Sequence, residues 1–165
     1  MSKTVRNVVG NEEDIVRILS NGWVKNGNVQ HTAFALREGE TYISVNRPAI
    51  PSFVSDVASF VRSHRNFLIT DNGINSYQRA VLSVGKIRAI SVVVDNKPLS
   101  IDVEVEPRDV FTKSHAGIFT RHDNKNLKTG GTIAVGEEKN ISVDMVLLKV
   151  RLALVRLSSL ETCYS

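Results

Sequence analysis

The chain has 165 residues, 42% hydrophobic and 23% charged, which is enough apolar material for a packed core and too little charge for a disordered chain. Its net charge of +4 permits nucleic-acid binding without demanding it. A single cysteine, Cys163, excludes an intramolecular disulfide, and no apolar run approaches the length of a membrane span.

Asn11 is a suitable helix cap, with Glu12, Glu13 and Asp14 in the positive first turn and Ile15, Val16, Ile18 and Leu19 behind them at helical spacing. This predicts a short helix ending at Asn21-Gly22. From Trp23 the period shifts towards two. Asn26-Gly27 is a hairpin dipeptide, so GWV and VQHTAFAL read as strands, and TYISVN reads as another before Pro48 and Pro51. Residues 23–46 therefore predict a small antiparallel meander. Behind Ser52, Phe53, Val57, Phe60, Val61 and His64 share one face of a predicted helix over SFVSDVASFVRSHR. The β-branched run RAVLSVGKIRAISVVVD, the turn DNKP and the run LSIDVEVEP predict a hairpin at the sheet centre. IFT and TIAVG predict short strands on either side of the loop DNKNLKTGG. VDMVLLKVRLALVRLSSL alternates in part, but its length and its content of helix formers predict a largely buried helix with one polar seam.

Unusual chemistry is concentrated between Ile101 and Gly131, where Asp102, Glu104 and Glu106 alternate and a basic loop carrying His115 and His122 follows. His115, in SHAGIFT, is a candidate acid–base or phosphate-binding residue, because Ala116-Gly117 leaves room for a ligand against the backbone. The plainer reading is a strand-end histidine making one hydrogen bond. Arg47, where a strand meets Pro48, is placed to hold a phosphate or carboxylate, and Arg17 and Arg88 are weaker candidates of the same kind. Ordinary salt-bridged arginines compete with that reading. Lys113, Arg121, Lys125 and Lys128 could supply nucleic-acid phosphate contacts, or simply form a solvated basic loop. Phe111 and Phe119 lie nearby but form no stacking pattern. LKTGGT lacks the residue order of a phosphate-binding loop, and no GxSxG nucleophile motif is present. His31, His64, His115 and His122 have no metal-ligand spacing, and alternating acids are commoner on a solvated strand face than around a cation. No metal and no cofactor are expected.

Arg17 shortly before Trp23, then HTAFAL, then YISVNR, and later VGKIRAI leading to SHAGIF give a pattern from about residue 15 to 120. In this order of pieces the chain resembles a group of small prokaryotic proteins of unknown activity. The resemblance implies only that a shared site would draw on these positions, and DNKNLKTGG lies outside it.

The expected fold is α+β in one globular domain, residues 1–165: a mainly antiparallel sheet packed against two or three helices, with the C-terminal helix buried. A second copy could cover part of that helix in a homodimer. The N-terminus lacks an apolar h-region, which predicts a protein without a signal peptide, in the cytoplasm and off the membrane. Two functions of different class fit. One is a non-enzymatic accessory protein acting through a protein partner or nucleic acid. The other is a small enzyme or ligand-binding domain for a phosphorylated or nucleotide-like molecule. The second requires Arg17, Arg47, Arg88 and His115 to converge in one concavity, and the first requires the four basic residues of the loop region to form one patch.

Overall fold

The computed structural model describes residues 8–105 and 112–164, so Glu106 and Phe111 lie outside the described residues. In chain order the strands of the first half are β1 (Asp14–Leu19), β2 (Val24–Lys25), β3 (Asn28–Val29), β4 (Tyr42–Asn46), β5 (Ile69–Asp71), β6 (Ile74–Ser83), β7 (Val93–Val94) and β8 (Lys97–Pro98). Those of the second half are β9 (Ser100–Val105), β10 (His115–His122), β11 (Lys125–Asn126), β12 (Thr132–Val135), β13 (Lys139–Ser142) and β14 (Ser159–Tyr164). Three α-helices accompany them among the described residues: α1 (Phe53–Ser63), α2 (Val84–Arg88) and α3 (Val143–Leu157). The fold is α+β, dominated by an eight-stranded antiparallel sheet of order β11-β10-β4-β1-β6-β14, with β9 on β10 and β5 on β6.

The sheet has two unlike faces. Ile15, Ile43, Val45, Leu82, Val103 and Ile118 join α3 residues Val146, Val150 and Leu154 in the larger core. Successive side chains of a strand alternate between faces. Val16 and Ile18 therefore face the other way, where they pack on Phe53, Val57 and Val61 of α1 in a smaller cluster. On that side β4 and β10 carry Ser44 and Asn46 beside Gly117 and His115 in matched register. α3 buries Val143, Val146, Leu147, Val150 and Leu154, while Met145 is 67% exposed and Leu148 and Leu152 are also exposed.

Several expectations change. Residues 14–19 form β1, not a helix, and pair with β6 from Asp14↔Ser83 to Leu19↔Gln78. A strand covered on both faces needs apolar residues without alternation, and its Ile-Val-x-Ile-Leu run then mimics helical spacing. The predicted central hairpin is also displaced. RAVLSVGKIRAISVVVD is split by α2, DNKP closes only the two-residue hairpin β7–β8, and β9 pairs with β10 alone. HTAF is a 3-10 turn and not strand. The Asn26-Gly27 hairpin forms as expected, with both residues at positive φ. Helix α3 ends at Leu157, after which β14 adds an edge strand to β6.

Candidate functional site

α1 and the polar side of β4–β10 do not meet fully, and the gap between them is a half-open cleft of about 460 Å³. α1 contributes Asp56, Ser59, Phe60 and Ser63, with His64 just beyond its end. The sheet contributes Arg17, Ile18, Ser44, Asn46 and His115, with Thr112 ahead of β10.

Arg17 reaches this cleft because of a fault in the sheet. β1 and β4 pair at Val16↔Asn46 and share no further ladder position. The Arg17 guanidinium takes the place of the missing ladder, donating from Nη1 to the Ser44 carbonyl at 2.8 Å and from Nε to the Ala33 carbonyl at 3.0 Å. It also lies over the Trp23 ring, 4.9 Å from the centroid. Burial lowers this group to about 10, with Glu40 raising it and Arg37 lowering it by smaller amounts. It is still a cation at neutral pH. It forms no ion pair with any described carboxylate, and its direct partners are the two carbonyls and the face of the Trp23 ring.

The wall opposite is stiffened by hydrogen bonds. Asp56 Oδ2 accepts from Ser52 Oγ at 2.9 Å, from Ser114 Oγ at 2.7 Å and from the Ser114 backbone N–H at 3.1 Å. Asn46 Nδ2 in turn donates to Ser114 Oγ at 3.0 Å. Burial pushes the Asp56 carboxyl up, but the bonds from Ser114 and Ser52 outweigh it, and the carboxyl sits below its ordinary value. Ser52 thus precedes α1 as expected, yet its hydroxyl serves Asp56 and makes no cap bond.

Two imidazoles stand in the cleft. His64 stacks on Phe60 with centroids 4.3 Å apart, and its Nδ1 is 2.8 Å from the Phe60 carbonyl. His115 opens β10, with the Tyr42 ring 6.0 Å away. Tyr42 lies 5.1 Å from Phe119, and the two rings cover Gly117.

Of the residues singled out by sequence, Arg17 and His115 therefore line one cleft, and Arg47 and Arg88 do not join them. Arg47 is 1% exposed and bound to both Glu13 carboxylate oxygens, at 3.0 and 2.8 Å, and to the Val8 carbonyl. Arg88 donates to Asp102 at 2.6 Å, to Asn11 and to the Val103 carbonyl. The basic quartet is also divided. Arg121 is bound in bidentate fashion by Glu104 and lies over Phe119. Lys125 and Lys128 line a separate cleft with His122 and Asp123, and Lys113 is exposed beside His115 at the other end of β10. Asp102 and Glu104 are thus arginine partners. Among the described residues no group of three or more His, Cys, Asp or Glu side chains is arranged to hold a metal.

Sequence reasoning missed His64, Asp56 and Ser114. His64 reads as one more member of an apolar stripe, and the Ser52-x-x-x-Asp56 spacing was its only available neighbour signal. No protein-family model, curated protein or solved structure matches this chain. No helix among the described residues is long and apolar enough to cross a membrane.

Proposed function

We propose that the protein binds a phosphorylated, nucleotide-like molecule in the cleft between α1 and the polar side of β4–β10. One observation carries this reading. Arg17 is a desolvated cation in the cleft wall, hydrogen-bonded to carbonyls and ion-paired with no described carboxylate. An anion brought to it gains charge-assisted hydrogen bonds without first breaking an ion pair. The hydroxyls of Ser44 and Ser59 add neutral donors around the same volume, and the His115 imidazole lines it as well. The non-enzymatic alternative, in which the basic loop region binds nucleic acid, is less well supported, because Lys113 and Arg121 do not share the cleft of Lys125 and Lys128. A single cysteine suits a cytoplasmic location.

Melting the protein with AMP, ADP, ribose 5-phosphate and inorganic phosphate tests this, with adenosine as the uncharged control. A ligand at a hundred times its dissociation constant stabilises the folded form by about 2.7 kcal/mol. The phosphorylated compounds should raise the melting temperature and adenosine should not. His115→Ala and Ser59→Trp should remove the shift while the unliganded melting temperature stays in place. If no phosphorylated compound moves the transition, or if both variants keep the full shift, the reading is wrong.

A further inference from the structure

We propose that the cleft cleaves single-stranded RNA, with His64 as general base and His115 as general acid across a phosphodiester held at Arg17. The proposal rests on the phosphate-binding reading above and adds a reaction to it.

The tautomer of His64 is legible from its contact. A carbonyl oxygen only accepts, so the 2.8 Å approach of His64 Nδ1 to the Phe60 carbonyl puts the ring proton on Nδ1. The neutral ring then has its lone pair on Nε2. Its orientation is held by the stack on Phe60, tilted by 20°, and by an edge contact with Phe67. A ring tied at one nitrogen and stacked on its face is prepared to take a proton at the other. His115 enters the same cleft from the sheet, on a different element from His64. Two imidazoles from facing walls suit a reaction in which one proton is removed on one side of phosphorus and another delivered on the opposite side. Among the described residues the other charged groups lining the cleft are Arg17 and Asp56, and Asp56 is committed to Ser52 and Ser114.

These groups supply a base, an acid and a cation for the phosphoryl oxygens, so the simplest matching substrate brings its own nucleophile. Ribonucleoside phosphodiesters do so through the 2′-hydroxyl. His64 Nε2 takes the 2′-hydroxyl proton, and the 2′-oxygen forms a bond to phosphorus. The bond from phosphorus to the 5′-oxygen breaks, and protonated His115 gives that oxygen its proton. The products are a 2′,3′-cyclic phosphate and a 5′-hydroxyl, and exchange with solvent returns both imidazoles to their starting states.

The probes are a short mixed-sequence single-stranded RNA carrying a fluorophore and a quencher, its DNA counterpart and its 2′-O-methyl counterpart. Only the first should be cut, leaving 2′,3′-cyclic phosphate ends. His64→Ala and His115→Ala should each slow the reaction about 10²- to 10⁴-fold. If the wild-type protein shows the nucleotide-dependent melting shift but leaves RNA intact, the reaction is refuted and the binding reading stands. If neither shift nor cleavage is seen, both fall. Cleavage at an equal rate in wild type and both histidine variants would mark a contaminating nuclease and refute the proposal.

Discussion

Glu13 and Arg47 show how a residue that reads as a ligand hook becomes part of the framework. Arg47 has almost no exposed surface, and the Glu13 side chain is 12% exposed. The two groups stabilise each other as a pair, since an isolated buried charge is far more costly than a paired one. Glu13→Gln should therefore destabilise the fold by about 3–5 kcal/mol, as expected when one partner of a buried pair is removed. Urea unfolding of Glu13→Gln, beside a Glu13→Leu/Arg47→Met double variant, measures this. The double variant should recover much of the loss, and a double variant as unstable as the single would mean that packing, not uncompensated charge, dominates. The pair also sets a pH limit. Burial raises the Glu13 carboxyl, but the bonds from Arg47 and from the Gly10 N–H, with the charge of Arg47, more than reverse this and leave it below its ordinary value. A carboxyl lowered by folding contributes stability that is complete above its unfolded value and is lost as pH falls through its folded value. Asp56 has the same sign. Stability should thus be flat from neutrality down to the ordinary carboxylate range, near pH 4.5, and fall below it. Equilibrium melts across that range check the direction, and a protein that gained stability on acidification would contradict it.

At the scale of elements, Gly117 ties the β4–β10 pair to the cleft. A Cβ built there would lie 2.5 Å from Tyr42 Cδ2 and 3.0 Å from Phe119 Cε2, closer than van der Waals contact allows. Gly117→Ala should cost about 1–3 kcal/mol, the usual range for overpacking. It should also weaken nucleotide binding, because Tyr42 is the ring that must move and it neighbours His115. Thermal melts with and without nucleotide read both effects, and an unchanged melting temperature would show that Tyr42 shifts at no cost. The legibility of the elements follows the same local physics. β4 and α1 were readable because each has one core face and one wetter face, so their periods of 2 and 3.6 survive in the sequence. β1 was not, because burial on both sides erases its period. β14 was not, because a polar edge strand follows α3 after only Ser158 and has no periodic signal of its own. The cleft was half readable. Arg17 and His115 were named from their types and neighbours, but their lining one cleft depends on the gap between β1 and β4, which no local pattern encodes.

For the molecule as a whole, the surplus of positive charge is dispersed, and this separates the two functional readings. Lys125 stands opposite His122, whereas His115 is seven residues back along β10, roughly 23 Å at the usual strand rise. At about 0.15 M salt the screening length is roughly 8 Å. Charges at the far end of β10 are therefore almost invisible to a phosphate in the cleft. Reversing both, in a Lys125→Glu/Lys128→Glu variant, should alter nucleotide affinity by less than about 2-fold at that ionic strength, since a screened surface charge contributes a fraction of a kcal/mol. If the basic loop region were instead the working surface for nucleic acid, the same variant would lose most of its RNA affinity. Its salt slope would then flatten by about one for each phosphate contact removed. Fluorescence anisotropy of a short RNA, titrated at several salt concentrations, distinguishes the two. A steep loss on charge reversal would move the function from the α1 cleft to the β10–β11 end of the sheet. A flat response leaves Arg17 as the cation that a bound phosphate meets.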